Sequence, residues 1–157
     1  MKQELDEQLC KKYPKMMVNR NKPMMETCMC WGFECGDGWF NILDQLMGNI
    51  QHHIDWKNKN SEVVAQVTLD QVKEKFGTLR FYYSGGDDEI SGMVRMAESM
   101  SGVTCEECSA PAETHGPGWI KTLCDHHEAE RQARYKEIVN DEDLQLSILE
   151  AMKGESQ

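Results

Sequence analysis

The apolar positions of this chain fall into blocks of different period, and each period predicts an element. Between Glu4 and Lys12, Leu5 and Leu9 stand at i and i+4, the spacing of a short amphipathic helix that ends before Pro14. Residues 16–36 have no period and are unusually soft (Met16, Met17, Met24, Met25, Met29, Cys28, Cys30, Cys35). They read as irregular chain whose methionines fill gaps in a core or form an adaptable contact surface. Gly36-Asp37-Gly38-Trp39 then opens the clearest helix of the chain. Trp39, Ile42, Leu43, Leu46, Met47, Ile50 and Ile54 recur at helical spacing as far as about Trp56, and Asp37 is placed to cap the first amides. Lys57-Asn58-Lys59-Asn60-Ser61 follows as a loop.

Two periods compete between Val63 and Tyr83. Thr68-Leu69-Asp70-Gln71 has the form of a capping box, with Leu69, Val72 and Phe76 at helical spacing behind it. Against this, the alternation of Leu79, Phe81 and Tyr83 predicts a strand over Thr78–Tyr83. Its partner would lie at Val63–Val67 or Gln71–Lys75 and turn through Phe76-Gly77; the hairpin is the reading adopted. Ser84 to Glu89 forms a turn whose acids cap a helix with Ile90, Met93, Val94, Ala97 and Met100 on its core face. The glycines and acids of that turn lack the ligand spacing of a calcium loop. A polar helix is expected from Asp125 to about Val139. Asn140-Asp141-Glu142-Asp143 then caps a last helix with the apolar stripe Leu144, Ile148, Leu149 and Met152. That stripe packs back on the domain or pairs with a second copy in a homodimer. Together these elements predict an α+β fold. Residues 1–102 form a core in which the Trp39–Trp56 and Ile90–Met100 helices pack on a small antiparallel sheet, and residues 103–157 form a metal-binding module with terminal helices.

At 157 residues the chain holds one compact domain, or a small core with an appended module. No apolar run approaches a membrane span, and no signal peptide precedes the charged start Met1-Lys2-Gln3-Glu4, so a cytoplasmic location is expected. The seven cysteines are an odd number for a disulfide framework, which points to thiolates in a reducing compartment.

Cys105-Glu-Glu-Cys108 and Cys124-Asp-His-His127 carry the chemistry. Two pairs at x2 spacing supply the four soft or borderline ligands that a closed tetrahedral Zn²⁺ site needs. Cys105, Cys108, Cys124 and His127 are the expected ligands; His126 and His115 are the alternatives for the fourth. Pro111, Gly116, Pro117 and Gly118 suit a hairpin between the pairs, which gives the knuckle, hairpin and helix of a treble-clef module. Asp125-His126-His127 is also similar to the metal site of nucleases built on that module. The helical sequence that follows, Glu128 to Arg134, offers no further ligands in their pattern, so no catalytic residue is assigned. Cys28, Cys30 and Cys35, with His52 or His53, match no common knuckle and are read as structural thiols.

The net charge of −10 arises from 27 acids against 17 lysines and arginines and is unevenly spread. Residues 1–22 carry +3, whereas residues 23–56 carry five acids (Glu26, Glu34, Asp37, Asp44, Asp55) and no lysine or arginine. Such a chain is repelled by phosphate backbones unless its cations cluster, so a protein partner is expected and direct nucleic-acid binding is not. An acidic face that imitates nucleic acid, made by residues 23–56 with Asp87, Asp88 and Glu89, is the sharper form of this expectation.

Gly36-Asp37-Gly38-Trp39, the string from Gln71 to Tyr83 (QVKEKFGTLRFYY), Ala97-Glu98-Ser99 in the helix that follows, Cys105-Glu-Glu-Cys108 and Gly118-Trp119-Ile120-Lys121-Thr122-Leu123-Cys124 occur in that order. Over roughly residues 30–127 this set resembles a family of small proteins encoded by bacteriophages and prophages. The resemblance implies a bacterial-cell setting and a zinc knuckle, and it implies no activity. Ser109 stands where that family commonly has the glycine that eases the knuckle turn. The functional expectation is a non-enzymatic, zinc-containing accessory protein that binds a bacterial host protein. A component of a defence system that handles nucleic acid would suit the acidic face. The alternative is a zinc-stabilised nucleic-acid-binding protein, for which Lys73, Lys75 and Arg80 with Phe76, Phe81, Tyr82 and Tyr83 supply cations and aromatics. Strand alternation turns at least half of those aromatics toward the core.

Overall fold

The computed structural model describes residues 1–116 and 118–139. The expected last helix, from Asn140 through Met152, lies outside the described residues. The chain divides into two compact units, the first ending at Cys124 and the second beginning at Asp125.

The first unit is α+β. Helix α1 (Gln3–Lys12) leads through irregular chain and a 3₁₀ turn at Cys28–Trp31 into strand β1 (Phe33–Glu34). A second 3₁₀ turn at Asp37–Trp39 enters helix α2 (Phe40–Lys59). Strands β2 (Thr68–Lys75) and β3 (Thr78–Ser84) precede helix α3 (Asp88–Ser101). The small strands β4 (Glu113–His115) and β5 (Lys121–Leu123) pair antiparallel. Helix α4 (Asp125–Val139) belongs to the second unit and is the polar helix that the sequence predicts.

The main sheet has the order β1-β2-β3 and is mixed, which corrects the expected antiparallel sheet. The hairpin is as predicted, with Val72 opposite Phe81 and Lys73 opposite Arg80. Beside it, β1 runs parallel to β2, with Phe33 opposite Val72. The capping-box reading of Thr68–Gln71 loses to β2, because Phe76 and Gly77 both take positive φ and close a tight turn. No strand forms at Val63–Val67, where Val63 is exposed.

Leu43, Met47, Ile50 and Ile54 on α2 and Ile90, Val94 and Ala97 on α3 are buried with Leu69, Val72, Leu79 and Phe81 of the sheet. Met16, Met17 and Met29 complete this core, so these three methionines of the irregular segment are fillers, whereas Met24 and Met25 are exposed. Three further expectations are corrected. Helix α2 continues through the expected loop to Lys59. Met100 lies exposed at the end of α3 instead of in the core. Asp37 does not cap α2: its carboxylate accepts from the Lys2 amide at 2.7 Å and faces the Lys2 ammonium at 3.0 Å. Asp87 does cap α3, accepting from the Ile90 amide at 3.0 Å.

Side chains of neighbouring helices bind backbone amides of the outer strands. Asp6 of α1 accepts from the Phe33 amide at 3.0 Å; Ser101 and Glu98 of α3 accept from the Leu79 and Phe81 amides at 2.8 and 3.0 Å. The charge asymmetry of the sequence is largely compensated inside the fold. Lys12 pairs with Asp44 at 2.8 Å and Lys15 with Asp55 at 3.0 Å, so with Lys2 three of the five acids in residues 23–56 are met by the basic N-terminal segment.

Candidate metal centre

Cys105 and Cys108 sit on a tight turn that follows α3. The Cys105 amide donates to the Ala110 carbonyl at 2.8 Å, and the Ser109 amide donates back to the Cys105 carbonyl at 3.0 Å. Ser109 closes this turn with φ +66°, the left-handed conformation in which glycine is easiest. Its hydroxyl compensates by donating to the Gly38 carbonyl at 2.6 Å. A serine in place of glycine therefore adds a hydrogen bond to offset backbone strain.

That bond is one of several from the Gly36-Asp37-Gly38-Trp39 turn to the knuckle. The Gly38 amide donates to the Glu106 carbonyl at 2.7 Å, the Gly36 amide to the Glu106 carboxylate at 3.0 Å, and the Trp39 indole to the Thr104 carbonyl at 2.9 Å. A Cβ at Gly38 would overlap the Cys105 carbonyl oxygen, and one at Gly36 the Glu106 carbonyl oxygen. The two glycines are thus needed for backbone-on-backbone approach. From the other side, Lys121 on β5 reaches the buried Glu106 carboxylate at 2.7 Å and Glu74 at 3.4 Å. Burial opposes the Lys121 ammonium, but the Glu106 and Glu74 carboxylates outweigh it and raise its pKa. The Thr122 hydroxyl donates to the Gly77 carbonyl at the tip of the β2–β3 hairpin. The motifs that stand apart in the sequence all converge on residues 104–109.

Cys105, Cys108, Cys124 and His127 each present one ligand atom, and the four atoms lie within 4.8 Å of one another. The sulfurs of Cys108 and Cys124 are 3.8 Å apart. A tetrahedral ion with metal–sulfur bonds of about 2.3 Å requires sulfurs about 3.8 Å apart, so this spacing fits a bound ion. A disulfide would bring them to about 2.05 Å. The Ala110 amide favours the Cys108 thiolate, yet some desolvation and the neighbouring thiols of Cys105 and Cys124 outweigh it and push its pKa up, although the residue is exposed. Thiols this close resist ionising together unless a cation balances them. The four residues could therefore hold a metal ion.

The structure separates the histidine candidates. His127 is in the cluster. His115 instead donates from Nε2 to the Leu123 carbonyl at 3.0 Å, and His126 faces Glu130 at 3.5 Å on an exposed helix face. Cys28, Cys30 and Cys35 form no metal-ligating group among the described residues. Cys35 is buried, and that burial pushes its thiol up to about 12. Glu106 is the site residue that sequence reasoning missed; an acid between knuckle cysteines reads as turn solvation, and only the fold shows it buried under Lys121. Among the described residues there are two further groupings of ligating side chains: His126 and His127 with Glu130, and His53 with Asp87 and Glu89. In the second, the His53 ring bonds the α3 cap Asp87 at 2.7 Å and faces Glu89 at 3.6 Å.

No known protein family, no curated protein and no solved structure matches this chain.

Proposed function

We propose that this chain is a non-catalytic, zinc-stabilised accessory protein of phage or prophage origin that acts in the bacterial cytoplasm by binding a host protein. The observation that carries the zinc assignment is the 3.8 Å Cys108–Cys124 spacing within a three-sulfur, one-imidazole donor set. Thiolate-rich sets of this kind select Zn²⁺, and four protein ligands fill its coordination, leaving no position for a substrate. The order of knuckle, β4–β5 hairpin and helix supports a treble-clef module whose role is to hold its segment folded.

The binding surface that fits this reading is the groove between α2 and α3. It has a volume of about 330 Å³ and is lined by Ile42, Leu46, Met93, Met96, Ala97 and Met100. Met96 is 66% exposed. Unbranched, polarizable methionines adapt to an apolar helix laid between two others, the helix-in-groove mode of recognition. Asp37, Asp44 and Asp55 are already paired with lysines, which favours this groove over an acidic mimic of nucleic acid as the contact we propose.

Zinc-loaded protein immobilised in bacterial lysate should retain a stoichiometric protein partner that resists nuclease treatment. Met96→Asp with Met100→Asp should release that partner while the fold and zinc content stay unchanged. A partner held equally by the double variant would refute the groove. Purified protein without about one zinc per chain would refute the metal assignment.

A further inference from the structure

We infer that the outward face of the β2–β3 hairpin is a binding surface for single-stranded nucleic acid. Strand alternation sorts the residues of QVKEKFGTLRFYY onto two faces. Val72, Leu79 and Phe81 are buried, and Tyr83 packs against that core. Lys73 pairs with Arg80, and Gln71 with Tyr82, on the opposite face, with Lys75 opposite Thr78 nearer the turn. Among the described residues, Lys73, Lys75 and Arg80 pair with no carboxylate. Lys2, Lys12, Lys15, Arg20, Lys57 and Lys121 all do. In a chain of net charge −10 the unpaired cations thus include three on one sheet face, where they lie with exposed aromatics. Lys73 lies over the Tyr82 ring at 5.8 Å and Lys75 over the Phe76 ring at 5.3 Å.

Phe76 is the residue that ordinary folding does not explain. It occupies the first position of a two-residue turn at φ +54°, where asparagine or glycine is favoured and an aromatic residue is strained. It is 66% exposed, so burial does not offset that strain. Across a cleft at the hairpin tip stands Trp119, also 70% exposed. Backbone strain retained around an exposed aromatic side chain belongs with ligand clamps.

Cations track a phosphate backbone, and aromatic rings stack bases without regard to sequence; sheet surfaces of this composition engage two or three bases. From the Tyr82 level to the turn is four residues, roughly 13 Å at about 3.3 Å per residue, which suits so short a footprint. A duplex presents no exposed base face to Tyr82 or Phe76. An acidic peptide would use the lysines and leave the rings unoccupied. Single-stranded nucleic acid uses both. This surface lies on the sheet face opposite the buried core and does not rest on the α2–α3 groove, so either assignment can fail alone.

The test is fluorescence anisotropy of the full zinc-loaded protein with labelled oligo-dT and oligo-U at low salt. Binding should weaken with salt at a slope of log K against log salt of about −2, as expected for three neutralised phosphates of a single strand. Tyr82→Ala should weaken binding roughly 5- to 150-fold, and Tyr82→Phe should restore most of it. Phe76→Asn should raise the melting temperature by relieving the turn and yet weaken binding, a combination that no folding defect produces. Lys73→Glu with Arg80→Glu should abolish binding. The inference is overturned if neither oligonucleotide binds, if Tyr82→Ala binds like the parent, or if a poly-glutamate peptide competes as well as oligo-dT.

Discussion

Replacing Gly38 with alanine adds one methyl group to a residue that is not itself a metal ligand, and it should disable the knuckle. The added Cβ would overlap the Cys105 carbonyl and stand 2.7 and 2.8 Å from the Ser109 and Cys108 nitrogens. All three are backbone atoms, so no side chain can rotate aside. Forcing a methyl group into such a contact costs about 1–3 kcal/mol. The separation it demands also stretches the Gly38 amide bond to Glu106 and the Ser109 hydroxyl bond to Gly38, each contributing about 0.5–1.5 kcal/mol. The total is about 2–6 kcal/mol, and with its bond to Gly38 weakened Ser109 keeps an uncompensated positive φ. Because Cys105 and Cys108 lie on the displaced turn, zinc affinity should fall together with stability. Urea denaturation and competition with a chromogenic zinc chelator would measure the two. Gly92→Ala is the control: its Cβ would meet only Arg95 Nη2 at 3.8 Å, and within α3 the change should stabilise by about 0.5–1 kcal/mol. A Gly38→Ala protein with parental urea midpoint and zinc affinity would refute the account of why the two glycines are there.

Three other outcomes follow from the structure. Leu79→Ala or Phe81→Ala, each emptying a buried position under the sheet, should cost about 2–5 kcal/mol in thermal or urea unfolding; losses near zero would mean the core is built elsewhere. At Asp37, Asp44 and Asp87 burial opposes the charge, but bonds from Lys2, from Lys12 and Tyr13, and from His53 and the Ile90 amide outweigh it, and each carboxyl titrates below its ordinary value. A lowered folded pKa gives stability that is present above about pH 4 and lost as pH falls through the folded values. Urea midpoints should therefore drop in that acid range, and less steeply in Asp44→Asn with Asp87→Asn; identical slopes would contradict the assignment. In alkylation followed by mass spectrometry at mildly alkaline pH, exposed Cys28 should react first. Cys10 and Cys35, with thiols raised to about 11 and about 12, should stay protected, as should Cys105, Cys108 and Cys124 in zinc-loaded protein until a chelator is added; early labelling of Cys35 would show that its burial is wrong.

What the sequence disclosed was local. The x2 spacing of Cys105/Cys108 and Cys124/His127 is a short-range geometric requirement, and the apolar positions from Trp39 to Ile54 repeat over enough turns to leave no competing period. The features it hid depend on distant partners. β1 has two residues and no period of its own; it is a strand only because β2 accepts it in parallel. Asp37 stands in the right place for a cap, but Lys2, thirty-five residues earlier, takes its carboxylate. Met100 continues the spacing of α3 to the helix end, where it is left exposed at the groove beside α2. The burial of Glu106 required the Gly36–Trp39 turn and Lys121 of β5 to arrive from two distant parts of the chain, which no single window of sequence displays.

The side chains that bind strand amides have a consequence for assembly. A sheet grows when an incoming strand finds unoccupied donors and acceptors along its rim. Here the Phe33 amide on one rim is held by Asp6, and the Leu79 and Phe81 amides on the other by Ser101 and Glu98. An added strand would have to displace a carboxylate on the first rim, or a hydroxyl and a carboxylate on the second, and would leave those groups to be solvated again. The same acids that shape the monomer thus discourage sheet extension into fibres, and any complex this protein forms is steered toward side-chain surfaces instead of backbone pairing.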